Sequence, residues 1–233
     1  MYEKHANISI HHKQGENIMQ VKLSITSKLD GIRSWSLQAL ETCPGSVALN
    51  GELVDACKGC YATQGNYRYP NVKAPRLFNR DDWQRDDWVF EMVQSLDNDR
   101  YFRWFDSGDM YSIDLARKIY MVMQATHHVK HWLPTRMHKF PKFQAIIELM
   151  RELPNVVVRA SSDSVTGDVL TDQSHSSTIA NSFDDPSITV CKAYEHGGKC
   201  SGCRACWDQS VPVIGYVAHG KSMAKVIKLK AIA

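Results

Sequence analysis

Seven cysteines fall into two groups: Cys43, Cys57 and Cys60 near the start, then Cys191, Cys200, Cys203 and Cys206 near the end. Their number is odd, and the polar opening stretch from Met1 to Gln20 has no apolar signal-peptide core, so a disulfide framework is not expected. Metal or redox chemistry is, and the fold must hold each set of thiols at such a site. No apolar run reaches the ~18 residues of a membrane helix. The chain is therefore expected to be soluble and cytoplasmic, with no membrane partner. A net charge of +3, from 28 Lys and Arg against 25 Asp and Glu, is too small to imply a general polyanion binder but permits a local basic groove.

With 233 residues, 43% of them hydrophobic, the chain can bury the core of one independent domain. Residues 1–20, with His5, His11 and His12, read as a flexible arm, and residues 21–233 as a single domain that includes a Cys-rich segment over 191–207. Strands are expected over Val21–Ser27, Ser34–Ala39, Tyr101–Asp106, Lys130–Leu133, Val156–Ala160, Ser187–Val190 and Val213–Ala218. Helices are expected after Ser112, from Pro141 to Pro154, and over Asp81–Leu96. Strands alternating with helices of this length imply βαβ crossovers. The expected fold class is α/β: a partial (β/α) barrel of about six mainly parallel strands, with a carboxyl-terminal Cys-rich metal-binding segment. Ser164–Pro186 is polar and aperiodic and reads as a long loop, functional or mobile.

Polar residues follow nearly every strand. Cys43 comes after the first strands, Asp106-Ser107-Gly108-Asp109 after Phe105, Thr135 and Arg136 after Leu133, Ser161-Ser162-Asp163 after Ala160, Cys191 after Val190 and His219 after Ala218. In a parallel architecture these positions share the carboxyl ends of the strands, where active sites of such folds are built.

The first group has the pattern C-x13-C-x2-C, and Gly59 between its last two cysteines suits a bend that aims both thiolates at one metal. Three thiolates on a [4Fe-4S] cluster leave one iron open to a small molecule. Zinc with three Cys and one His is the alternative, although no His lies between residues 43 and 60. The second group, C-x8-C-x2-C-x2-C, resembles the run that wraps a cubane in bacterial-type ferredoxins, with zinc again the alternative. Gly197, Gly198 and Gly202 relax its backbone, Lys199 and Arg204 offset thiolate charge, and Trp207 is expected to shield it. A closed four-Cys site there would relay electrons, anchor substrate or staple the segment.

Thr42-Cys43-Pro44-Gly45-Ser46 followed by Cys57-Lys58-Gly59-Cys60-Tyr61-Ala62 resembles the cluster loop of radical SAM enzymes, especially a phage-encoded branch in which Cys-x-x-Cys-Tyr-Ala recurs. The similarity extends to Phe105-Asp106-Ser107-Gly108-Asp109 and to Cys200-Ser201-Gly202-Cys203-Arg204-Ala205-Cys206-Trp207. It implies a cluster at the mouth of a partial barrel, with Cys43, Cys57 and Cys60 as ligands. It also implies that S-adenosylmethionine is chelated by the open iron and cleaved by an electron from the cluster, giving a 5'-deoxyadenosyl radical that takes hydrogen from a substrate. Asp106, Ser107, Gly108 and Asp109 would then stand at the motif that holds the methionine amino group, and Ser161, Ser162 and Asp163 where ribose and carboxylate contacts come from. The spacing departs from the family's C-x3-C-x2-C, and Tyr61 follows the third cysteine where the family's aromatic precedes it. The resemblance further implies a small-molecule or nucleotide substrate, a reductant such as flavodoxin or ferredoxin, and, for a phage product, the host cytoplasm. The alternative is a non-catalytic iron-sulfur or zinc protein that binds nucleic acid or a partner protein.

Three further features stand out. Asn66–Trp83 interleaves Arg68, Lys73, Arg76 and Arg80 with Tyr67, Tyr69, Phe78 and Trp83, a mixture suited either to single-stranded nucleic acid or to an aromatic-rimmed loop. His127, His128, His131 and His138 read as surface residues before a metal cluster. Arg136 is placed to clamp a carboxylate or phosphate, or to pair with a strand-end Asp.

Overall fold

Short apolar strands separated by amphipathic helices pair most readily side by side and in one direction. The computed structural model describes residues 21–230, so the arm expected over residues 1–20 lies outside the described residues. The strands are β1 (Ser24–Ile25), β2 (Arg33–Trp35), β3 (Tyr101–Trp104), β4 (Lys130–Thr135), β5 (Val156–Ser161), β6 (Ser176–Ala180), β7 (Ile188–Val190) and β8 (Val213–Val217). They form one eight-stranded sheet in the order β1-β2-β3-β4-β5-β6-β8-β7. Only β1 runs antiparallel to its neighbour; all other pairs are parallel. The fold is thus α/β with a mainly parallel sheet. The described residues form eight strands where about six were expected.

The helices are α1 (Asp55–Lys58), α2 (Pro70–Asp82), α3 (Trp88–Ser95), α4 (Ile113–Ala125), α5 (Pro141–Arg151) and α6 (Lys221–Lys230). Helix α4 starts where its cap is: the Ser112 hydroxyl accepts from the Asp114 N–H at 3.2 Å. Helix α5 has Pro141 in its first turn, where a missing N–H costs nothing. The single helix expected over Asp81–Leu96 is instead the end of α2 and all of α3. Helix α2 covers a stretch read as a loop, because Pro75 and the polar tract around it hide the helical period. None of these helices is long and apolar enough to cross a membrane.

Successive side chains on a strand point to opposite faces. Phe102 and Trp104 on β3, Leu133 on β4, and Val156 and Val158 on β5 join the large core under the helices, with Trp35, Trp88 and Met92. Tyr101, Arg103, Trp132 and Arg159, at the alternate positions, face the other way. There the sheet meets the Cys-rich segment and a cavity. Pro134 lies within β4 yet beyond its last paired position with β3, Arg103 against Trp132, so its missing N–H breaks no bond on that side.

Two expectations are corrected here. Residues 176–180, within the stretch read as loop, form β6, whose Ser176, Ser177 and Thr178 are buried although polar. Hydroxyl-bearing residues carry no apolar alternation, and pairing with β5 and β8 holds the strand in place. His131 is not a surface residue; it is fully buried on β4. Trp104 Nε1 donates to its Nδ1 at 3.2 Å, and its Nε2 is 2.9 Å from the Thr126 hydroxyl, which itself donates to the Val122 carbonyl. The ring is therefore neutral with the proton on Nε2, and burial pushes its pKa down to about 3.

Candidate functional site

The thirteen residues between Cys43 and Cys57 fold outward as a small excursion. Val47 and Leu53 form an isolated antiparallel bridge, and the Val54 N–H donates to the Ser46 carbonyl at 2.9 Å. Ser46 is also tied to Cys43, its N–H and hydroxyl both donating to the Cys43 carbonyl at 2.9 and 2.6 Å. The base of the excursion thus brings Cys43 back beside α1, which carries Cys57, and Cys60 follows two residues after α1 ends. Gly59 has φ −105°, open to any residue, so the bend does not require glycine. Close packing does: a Cβ there would lie 2.9 Å from the Met223 Cα of α6.

At the end of β3 the backbone is strained. Phe105 sits in the left-handed region at φ 55°, which a bulky side chain rarely adopts. The following Asp106-Ser107-Gly108-Asp109 turn is held by bonds to other elements. Asp106 Oδ2 accepts from Arg76 at 2.8 Å and from the Tyr67 hydroxyl at 3.2 Å, forming a buried ion pair. Its Oδ1 is buried with no partner. The Ser107 hydroxyl donates to the Leu37 carbonyl and accepts from Arg76 Nε. Asp109 accepts from the Thr135 hydroxyl, the Arg136 N–H and the Met110 N–H, yet burial outweighs these donors and raises its carboxyl to about 6. Gly108, at φ +80°, has no room for a Cβ, which would meet Leu37 Cβ at 2.5 Å and the Thr42 hydroxyl at 2.8 Å. A Gly108→Ala chain is therefore expected to lose about 2–4 kcal/mol of stability, read as a lower urea midpoint. An unchanged midpoint would show that this turn moves freely.

The second cysteine group starts directly after β7 and is tied to the rest of the fold at several points. The Cys200 N–H donates to the Lys28 carbonyl, and Asp30 accepts from the Gly202 N–H and from Arg204, both at 2.9 Å. Trp207 is buried against Trp132 and Tyr101, its Nε1 donating to the Phe102 carbonyl at 2.8 Å. From β5, the buried Arg159 sends its guanidinium to five carbonyls of the segment: those of Ala205, Cys206, Asp208, Val211 and Pro212. No carboxylate pairs with it among the described residues. The Cys206 sulfur lies 3.4 Å from the Tyr216 hydroxyl.

Both groups open on one cavity of about 500 Å³, which six of the seven cysteines line; Cys203 is exposed and does not. All but one of the strand-end residues expected to converge do so. Asp106, Ser107, Gly108, Asp109, Thr135, Arg136, Ser161, Ser162 and His219 all reach its wall. Asp163 does not; its carboxylate is taken by Arg136 at 3.2 Å and Lys139 at 2.6 Å. The strand-end partner foreseen for Arg136 is thus present. The Ser162 hydroxyl accepts from the Ser164 N–H, and both Ser161 and Ser162 line the wall. All seven cysteines are free thiols. Burial pushes Cys43 up to about 12 and Cys200 up to about 11, and raises Cys57, Cys60 and Cys206 as well. Metal-free, these thiols stay protonated at neutral pH, so metal uptake must displace protons and is favoured as pH rises.

A model of the gene product 88 family matches residues 4–209, taking in all seven cysteines and the sheet as far as β7. The chain belongs to that family. No curated protein and no solved structure matches it significantly.

In this member of the gene product 88 family, the cations around the cavity are placed differently from what the sequence suggests. Arg76 belongs to the stretch weighed as a nucleic-acid surface, but it is buried against Asp106; Arg80, from the same stretch, pairs with Glu41 and Asp81. Arg103 and Lys28 line the cavity and were not singled out; the alternation of β3 was the only available hint for Arg103. Among the described residues, no three His, Cys, Asp or Glu side chains stand close enough to hold a single metal ion. A cubane makes no such demand, because each thiolate binds a different iron.

Proposed function

We propose that this chain is an iron-sulfur protein with a radical-SAM-like active cavity, its sheet acting as a partial (β/α) barrel. The reading is carried by one observation: two thiol groups more than a hundred residues apart in sequence open on the same cavity at the carboxyl ends of parallel strands. Cys43, Cys57 and Cys60 would hold a [4Fe-4S] cluster with one open iron, and Cys191, Cys200, Cys203 and Cys206 a second cluster or zinc. Two features of the wall fit such groups. Arg159 is a buried cation without a carboxylate, beside Cys206, and the negative charge of a thiolate-bound cluster would offset it. Asp106 Oδ1 is a buried acceptor without a donor, suited to the amino group of S-adenosylmethionine. When bound, the first cluster supplies the electron that cleaves S-adenosylmethionine reductively.

The chain's own residues set the conditions for that chemistry. Asp109 ties the end of β3 to the end of β4 through Thr135 and Arg136. Arg76 holds Asp106 with one oxygen engaged and the other free. Buried Phe105 and Trp132 exclude water from the wall. A cytoplasmic reductant such as flavodoxin or ferredoxin would supply the electron, and a small molecule or nucleotide would be the substrate.

Anaerobic reconstitution with iron and sulfide tests the reading. It should yield about eight irons and eight sulfides per chain, or about four with zinc at the second group. Under strong reductant the loaded chain should release 5'-deoxyadenosine from S-adenosylmethionine. A colourless chain, or one that takes up only zinc, would overturn the proposal.

A further inference from the structure

Every buried or half-buried guanidinium around this cavity has its partners except one. Arg76 is paired with Asp106 and also donates to Ser107 and to the Val72 carbonyl. Arg136 is bound by Asp163 and the Ser162 carbonyl. Arg159 is saturated by its five carbonyls. Arg103 is different: no carboxylate of the described residues lies within ion-pair distance, and its Nε is shut off from solvent with no acceptor beside it. Its single hydrogen-bonding contact is a long one, Nη2 to the Tyr61 hydroxyl at 3.5 Å.

The position of Arg103 is nevertheless fixed. Its guanidinium carbon stands 4.6 Å from the centre of the Trp132 ring, and Trp132 packs on Trp207 beside Cys206. On its other side lies Tyr61, the residue after Cys60. The group is therefore held between the two thiol groups, stacked on an indole, with donors to spare along the cavity wall. Lys28 adds a second wall cation with no ion pair among the described residues. Of the carboxylates that share this wall, Asp109 is held by three donors, and Asp106 is paired through Oδ2 with Arg76; the charge of Asp106 acts on Arg103 without an ion pair between them.

A half-buried cation with unused donors, one of them shut off from water, favours an anion that completes it. A planar fork on an aromatic platform matches the paired oxygens of a carboxylate or phosphate. We infer that Arg103, assisted by Lys28, forms an oxyanion subsite between the two thiol groups, and that the molecule acted on in this cavity carries a carboxylate or phosphate there. The subsite rests on the cation and the cavity, not on the metal, so it stands or falls separately from the iron-sulfur reading.

Calorimetric titration of the full chain tests this, metal-loaded and again after chelation, with inorganic phosphate and with malonate. Saturable binding of either probe is expected. Phosphate alone would identify a phosphorylated ligand, and malonate alone a carboxylic acid. Affinity should fall at least tenfold in Arg103→Met and recover only in part in Arg103→Lys, which keeps the charge and loses the fork. Lys28→Met, away from the indole stack, should weaken binding by a smaller factor. Three results would overturn the inference: no saturable binding of either probe, equal affinity in Arg103→Met, or loss of S-adenosylmethionine binding in that variant with anion binding intact.

Discussion

A Cys57→Ala chain, reconstituted anaerobically beside its parent, is expected to hold about four fewer irons and to release 5'-deoxyadenosine at no more than about a hundredth of the parental rate. Cys57 is the buried member of its group, 8% exposed within α1, and is braced from both sides. Ala56 donates its N–H to the Asp163 carbonyl at 3.0 Å, and the Cys60 N–H donates to the Cys57 carbonyl at 3.1 Å. Alanine leaves this backbone in place, so the fold should survive and the loss should be confined to the metal. Iron content separates the two effects, since it reads ligation without requiring turnover. If the variant keeps its full iron complement, Cys57 is not a ligand and the open-site proposal fails.

Replacing Arg159 by methionine is expected to cost about 3–5 kcal/mol, the range for removing one side of a buried polar network. The volume is nearly kept, so the loss comes from the five carbonyls deprived of their shared donor; their contacts are only part-buried, so water replaces the donor at some of them, and about two left dry at about 1–3 kcal/mol each account for the loss. These carbonyls belong to the segment that carries Cys206 and leads into β8. Metal retention at the second group should therefore fall together with the urea midpoint. By contrast, Arg117→Ala removes an exposed pair with Asp114 and should change stability by about 0.5 kcal/mol or less. Equal effects from the two arginines would mean that the segment is not pinned through β5.

The Arg159 variant probes how the second cysteine group is placed, and here the limits of sequence reading are clear. Helices α4 and α5 are legible because Leu115, Ala116, Ile119, Val122 and Met123, and then Phe143, Ile146, Ile147 and Met150, recur at the helical period. Strands β3, β4, β5 and β8 are legible from dense apolar and aromatic runs. Strand β6 is not, because its buried positions are hydroxyls held by neighbours distant in sequence. The break between α2 and α3 is hidden for a related reason: Trp83 and Arg85 find their partners, Tyr111 and Glu91, only in the folded chain. The reading of Gly59 as a bend shows a further limit, since its close approach to α6 involves a residue more than 160 positions away.

The sequence by itself determined the α/β class, the parallel direction of most strands, and the division of the thiols into a three and a four. These follow from local periodicity and short spacing, which the backbone reads within a few residues. The tertiary structure alone decided that both thiol groups share a cavity, and that the residues between Cys43 and Cys57 fold aside so that both cysteines line it. It also decided which charges are satisfied. Asp109 joins the ends of two strands and Asp106 binds Arg76 of α2 through one oxygen, while Arg103 keeps donors without acceptors. The physical reason is that pairing energies and desolvation depend on distances between atoms from separate elements, and packing alone sets those distances.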